Sequence, residues 1–227
     1  MAVRRFAVIG LGRFGSTLAR GLASAGQEVI AIDSGQGLIE DIQDAVDQAV
    51  RLDATDEKAL RAQGVDKVDV AIVSIGENFE ANLLATVLLR QMGVATVIAR
   101  AASAVRAQIL RLVGATEVVL PEFESAGRLA QRLATPNVVD FLPIAEGFRL
   151  VQLKAPKSFY HKSLDELALR KNLGITVLAI RRQQQATKDQ PAGEVLLNVP
   201  GGDEVILPGD ELVVVGPDDA LAKLPRD

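Results

Sequence analysis

Three glycines near the start of the chain, Gly10, Gly12 and Gly15 in the run Val8-Ile-Gly-Leu-Gly-Arg-Phe-Gly15, have the spacing of a phosphate cradle. An apolar run precedes them, an Ala/Leu-rich helical pattern follows, and Asp33 closes the next apolar run. Strand, glycine turn, helix, strand and acid in that order form a mononucleotide-binding unit. Gly10 permits the tight turn, Gly12 lets the N–H groups of the Leu11–Phe14 backbone approach a phosphate, and Gly15 lets the helix pack closely on the strand. The helix amino terminus then faces the anion. A carboxylate at position 33 can accept both ribose hydroxyls, and its charge disfavours a 2′-phosphate. Arg13 adds a cation inside the turn, beside the phosphates.

The ends of the later apolar runs supply further candidates, because ligands of open α/β sheets sit at the carboxyl edge of the strands. Asp53-Ala54-Thr55 follows the third run, Ser74-Ile75-Gly76 with Asn78 the fourth, Arg100 ends the fifth, and Glu122 follows the sixth. Several have plainer readings. Thr55 suits a helix N-cap with Asp56 and Glu57 in the first turn, and Arg100 with Glu122 suits a surface ion pair. The single histidine, His161, stands next to Tyr160 in a loop and reads as solvated. No general acid or base faces a substrate, so an enzyme is not expected. An NAD-dependent oxidoreductase or an NAD(H)-sensing regulator is the alternative. The first needs a catalytic group over the nicotinamide, and the second a basic DNA-binding module.

Composition narrows the choice. The net charge is −4 with no basic block interleaved with aromatics, so nucleic acid is not an expected partner. Cysteine is absent, which excludes disulfides and thiolate chemistry and suits the cytoplasm. The opening Arg4-Arg5 and its apolar run break at Gly10 with no small-residue cleavage site, so no secretion signal is read. The runs Val70 to Ile75 and Leu83 to Leu89 are too short to span a bilayer. Hydrophobic residues make up 48% of the 227 but aromatics only 4%, so the core must be Val, Ile, Leu and Ala, the filling of buried parallel strands.

Strands are expected at Phe6 to Ile9, Glu28 to Ile32, Gln48 to Leu52, Val70 to Ile75, Thr96 to Arg100 and Glu117 to Leu120. Helices begin between them near Arg13, Gln36, Asp56, Asn78, Ser103 and Glu122, several stopping at Gly26, Gly64, Gly93 or Gly114. The fold class is therefore α/β, a Rossmann-like doubly wound parallel sheet in the order 3-2-1-4-5-6. This nucleotide-binding domain covers 1–134, a hinge covers 135–147, and a small α+β domain with a mainly antiparallel sheet covers 148–227. Within the latter a helix is expected over Ser163 to Arg170 and strands at Ile175 to Ile180, Val195 to Val199, Val205-Ile206 and Glu211 to Val215. Gln183-Gln184-Gln185 and Pro191 read as a solvated hairpin loop.

Phe6-Ala-Val-Ile-Gly-Leu-Gly-Arg-Phe-Gly15, Asp53-Ala-Thr55, Val73-Ser-Ile-Gly76 and Leu207-Pro-Gly-Asp-Glu-Leu-Val-Val-Val-Gly216 together resemble the cytosolic regulatory subunits of Ktr/Trk-type potassium transporters, built from an RCK domain with a nucleotide-binding and a C-terminal lobe. One copy rather than a tandem pair points to the Ktr type. The resemblance implies ATP or ADP as ligand, NAD(H) less so, with Asp33 at the ribose and Arg13 at the phosphates. It also implies Mg²⁺ or another divalent cation held with ATP by an acid after strand six, matching Glu122 with Glu124 as the neighbouring alternative. Further, it implies a homo-oligomer, dimers in a ring of eight, on the inner face of the cell membrane through a potassium-translocating partner. Some Ktr-type subunits bind cyclic di-AMP in the C-terminal lobe through adjacent apolar residues and an Arg-Ala step. Here these positions read Leu164-Asp165 and Arg170-Lys171, and a carboxylate beside a diphosphate argues against that ligand.

Overall fold

Residues of opposite parity along each early strand face opposite sides of a sheet, and both sides are apolar. Ala7, Ile9, Ile30, Ile32, Ala71 and Val73 enter one core with Leu60 and Leu89. Val8, Val29, Ala31, Val70 and Ile72 enter the other with Leu11, Ile39 and Ile42. Strands buried on both faces belong in a parallel sheet covered by helices, and such a sheet forms. The computed structural model describes residues 2–134, 137–184 and 193–225. It divides into two compact units, one up to Glu124 and one from Ser125 on.

In the first unit β1 (Arg5–Ile9), β2 (Glu28–Asp33), β3 (Gln48–Arg51), β4 (Val70–Val73), β5 (Thr96–Arg100) and β6 (Glu117–Val119) lie in the order β3-β2-β1-β4-β5-β6. Every pair is parallel, so all six strands end at one edge and the order reverses between β1 and β4. Helices α1 (Arg13–Ser24), α2 (Gln36–Glu40), α3 (Glu57–Ala62), α4 (Phe79–Gln91), α5 (Ala104–Leu112) and α6 (Pro121–Ala134) follow the strands in turn. The Rossmann-like order expected from the sequence is thus the observed one.

The second unit carries β7 (Val138–Ala145), β8 (Phe148–Lys154), β9 (Thr176–Gln184), β10 (Gly193–Asn198) and β11 (Glu211–Pro217) in an antiparallel sheet ordered β10-β9-β11-β8-β7. Four details differ from the sequence reading. Residues 138–145, expected in a hinge, form β7 and pair with β8. The single helix expected over Ser163 to Arg170 is two, α7 (Leu164–Leu167) and α8 (Leu169–Leu173), interrupted at Ala168 with φ 45°. Ser163 and Glu166 close a capping box that starts α7. Val205 makes only an isolated bridge, to Ser163. Gln183 and Gln184 belong to β9 rather than to a loop, whereas Gln185 and Pro191 lie outside the described residues. A last short helix, α9 (Asp218–Leu221), follows β11.

One ionic cluster ties the sheet of this unit to the loop before β11. Asp210 is 1% exposed, and its carboxylate accepts both the Nε–H and an Nη2–H of Arg182 at 2.8 Å and the N–H of Leu207 at 2.8 Å. Arg182 also donates to Glu204 at 3.1 Å and to the Val205 carbonyl at 2.9 Å. The Asp210 carboxylate holds the guanidinium above its ordinary pKa, with burial opposing and Glu204 adding to it. Removing one partner of a buried pair strands the other charge, so Asp210→Ala is expected to cost about 3 kcal/mol. Asp210→Asn, which keeps an acceptor for Leu207, should cost less. Urea unfolding of the whole chain checks both values.

Candidate functional site

The carboxyl edge of the first sheet is built around the turn from β1 into α1. Gly10 has φ +90°, and a Cβ there would stand 2.9 Å from the Ile75 nitrogen. A Cβ on Gly15 would collide with the Gly10 carbonyl oxygen and the Ser74 hydroxyl. These two positions therefore require glycine, one for its dihedral and both for close approach. Gly12 differs, because its backbone is ordinary (φ −61°) and nothing lies within 4 Å of where its Cβ would be. Among the described residues no atom there needs a glycine, which leaves open space in front of the helix end. The Ser74 hydroxyl donates to the Ile9 and Gly10 carbonyls, and its N–H donates to Ile9 at 2.7 Å, so the end of β4 is tied to the turn.

Helix α1 begins without a side-chain cap and without an acid in its first turn. Its amino-terminal N–H groups are thus open to an anion. Arg13 is exposed and makes no ion pair among the described residues, while Phe14 is half-buried and Leu11 buried. Asp33, at the end of β2, faces this turn. One of its oxygens accepts the Leu11 N–H at 2.7 Å and the other accepts the Gly35 N–H at 2.8 Å. The sequence offered Asp33 only as a ribose acceptor; in the structure it also fixes the glycine turn. A carboxylate has about four acceptor sites, so each oxygen keeps one for a further donor.

At the end of β3, Asp53 accepts the N–H and the hydroxyl of Thr55 at 2.9 and 2.8 Å. These bonds, the backbone one first, hold its carboxyl below the ordinary range. Ala54, between Asp53 and Thr55, is buried in the core of the sheet. Thr55 is not the helix cap. Asp56 caps α3 by accepting the Ala59 N–H at 3.1 Å, because the Asp53 turn advances the chain by one residue before the helix starts. Asn78 caps α4 by accepting from Ala81 at 3.0 Å.

Arg100, Gly76 and Glu122 form a second group across β4, β5 and the start of α6. A Cβ on Gly76 would fall on the Arg100 guanidinium, and Arg100 pairs with Glu122. The residue missed in the sequence is Asn82, 1% exposed on α4. Its amide donates to the Ile75 and Arg100 carbonyls at 2.8 and 3.1 Å, joining the ends of β4 and β5. A lone amide on an apolar helix face was the available signal. The Asn82 Oδ1 and the Arg100 Nε are buried without partners among the described residues.

The edge therefore holds one group around Gly10–Gly15, Asp33 and Ser74–Ile75, a neighbouring loop at Asp53–Thr55, and a second group of Gly76, Arg100 and Glu122. A separate cavity of about 270 Å³ lies in the second unit, lined by Phe141, Val151, Leu153 and Leu221 with Arg149 and Asp218. None of the residues singled out in the sequence lines it.

Glu122 lies in the first turn of α6. Its own main-chain N–H, and after it the Arg100 guanidinium, lower its pKa. A lowered folded-state pKa means that the contact is complete above the pKa of a free Glu, about 4.3. It is lost only as the pH falls through the lower value. Carboxyl NMR titration should place the Glu122 midpoint below the free value. Arg100→Ala should raise it only part of the way, since the main-chain bond remains; a wild-type midpoint at or above the free value would contradict this geometry.

The TrkA-N domain family matches residues 6–121, and the TrkA-C domain family matches residues 148–226. The chain is 34% identical to the Ktr system potassium uptake protein C of Bacillus subtilis (strain 168), over 94% of this chain and 92% of that protein. The GsuK channel superposes with a TM-score of 0.66 over 97% of this chain and 38% of that channel chain, at 19% identity, a likeness of fold. The NAD(P)-binding domain of an exopolyphosphatase-related protein from Archaeoglobus fulgidus superposes with a TM-score of 0.51 at 28% identity, over 58% of this chain and 98% of that domain. The chain belongs to the TrkA-N/TrkA-C family, among the Ktr potassium uptake proteins.

Proposed function

We propose that this chain is a regulatory, non-enzymatic subunit that binds ATP and ADP at the β1–α1 turn and gates a separate membrane potassium transporter. The observation that carries the reading is the uncapped start of α1 with Arg13 upon it, without an ion pair among the described residues, one strand from Asp33. Phosphates at the helix end gain the N–H groups, the dipole and a cation, while the ribose hydroxyls donate to the acceptor sites left on Asp33. The Bacillus relative's name supports the potassium role. Among the described residues no helix is long and apolar enough to cross a membrane, so the translocating pore is assigned to an integral-membrane partner, with this chain at its cytoplasmic face.

Residues 1–134 would serve as the nucleotide lobe and 148–227 as the second lobe. A homo-oligomer, dimers in a ring of eight, would carry the signal from one to the other. In support, Leu84 on α4 is exposed, with Leu83, Val87 and Leu88 half-buried beside it, and Phe123, Leu129 and Leu133 on α6 are exposed. Uncovered apolar surface of this kind marks an interface.

Among the described residues no three acidic or histidine groups gather around a metal position. Glu122 offers one carboxylate, a hard oxygen ligand that fits Mg²⁺ only if phosphate oxygens and water complete the shell. It would have to leave Arg100 to do so. A second reading, NAD(H) as the ligand, is supported by the likeness to the NAD(P)-binding domain and by Arg100 at the half of the edge where a dinucleotide's second nucleotide lies. Arg13 in the turn favours the terminal phosphates of ATP or ADP, which carry more charge than the bridging diphosphate of a dinucleotide.

A hundredfold excess of ATP or ADP over Kd adds about 2.7 kcal/mol. The melting temperature should therefore rise by several degrees, at roughly 2–4 °C per kcal/mol. Asp33→Ala should weaken ATP and ADP alike, since hydrogen bonds to a charged group are worth about 1.5–3 kcal/mol, and should also lower the ligand-free melting temperature because the turn loses its anchor. Glu122→Gln should abolish the gain that Mg²⁺ gives ATP, with metal-free affinity preserved. Calorimetry with Mg²⁺ and with chelator separates these effects.

A further inference from the structure

We infer that Arg51 is the specificity-determining residue for the nucleobase, its guanidinium forming a face on which a purine stacks. The inference rests on the proposed nucleotide site, and direction along the sheet edge supplies its first step. Phosphates lie at the start of α1, at the switch between β1 and β4, and the ribose is fixed by Asp33 at the end of β2. The base leaves the ribose on the side away from the phosphates, which is toward the end of β3. Arg51 stands there, the register partner of Asp33 on the neighbouring parallel strand.

Its side chain is anchored and yet unspent. The Nε–H donates to the Ser34 carbonyl at 3.0 Å, and the Leu52 N–H donates to the Asp33 carbonyl at 3.0 Å just beyond it. A bond made by Nε–H lies in the guanidinium plane, so it fixes the group's position without covering either face. The residue is exposed, and among the described residues it makes no ion pair. Arg100, at the other half of the same edge, is instead committed to Glu122. A planar, weakly hydrated cation held in place beside a ribose site suits stacking on an aromatic ring. A purine offers it more surface than a pyrimidine does.

A plain staple between β3 and the loop after β2 would show the same Nε–H bond, so the test must read base preference. Calorimetry in chelator with ATP, ADP, AMP and CTP on wild type, Arg51→Ala and Arg51→Lys provides it, because the ratio of two nucleotides on one protein cancels any general loss of folding. The expected result is a loss of about tenfold for ATP, ADP and AMP alike in Arg51→Ala, with CTP changed far less. Arg51→Lys should fail to restore the ATP preference, since an ammonium keeps the charge without the flat face. An unaltered ATP-to-CTP ratio in Arg51→Ala overturns the inference while leaving the nucleotide site standing. So does a loss that grows from AMP to ATP and is rescued by lysine, which makes Arg51 a charge for phosphates. A wild-type protein that binds none of the four overturns the proposed function and this inference together.

Discussion

The contact between Gly15 and the Gly10 carbonyl is the constraint on which the rest of the edge depends. With no Cβ at position 15, α1 comes down directly on the end of β1, and the Ser74 hydroxyl closes on the same carbonyl from β4. Any larger residue would lift the helix off the strand. Its open N–H groups would then no longer point across the switch between β1 and β4, and the position of Asp33 opposite Leu11 would lose its meaning. Apolar burial holds the sheet together, but this short backbone approach aims it.

Electrostatics at the edge follows from that aim. An uncapped helix end and Arg13 make a positive patch at the middle, while Asp33 and Asp53 make negative ones toward β2 and β3. Asp33 accepts two main-chain N–H groups, and Asp53 the N–H and hydroxyl of Thr55. On the other half, Arg100 and Glu122 satisfy each other, so that half must rearrange to take a ligand while the β1–β3 half need not. On the proposed function, the ribose and first phosphates would meet a preformed grip, and whatever extends further a conditional one.

Much of this was legible in the sequence, for reasons that lie in local chemistry. Glycine spacing, an acid at a strand end and apolar runs of the right length are each written in consecutive residues, so the strand order and the place of Gly10, Gly15 and Asp33 could be read directly. What could not be read depends on residues distant in sequence. Asn82 joins β4 and β5 only once α4 has packed, and the second duty of Asp33 needs the Leu11 N–H brought to it. The cap at Asp56, where Thr55 was one reading, was decided by the Asx turn at Asp53, a choice between neighbours that composition does not resolve. Likewise, the break at Ala168 divides a segment whose pattern reads as one helix, and β7 was hidden in a stretch marked by Pro136 and Gly147.

Mass spectrometry of the nucleotide retained by the natively purified protein tests the assignment most directly. The expected result is ATP or ADP, with no nicotinamide-containing species, at up to one per chain. NAD or NADH as the retained ligand would contradict it, and would extend the site from α1 and Asp33 to Arg100 and the β4–β5 half of the edge.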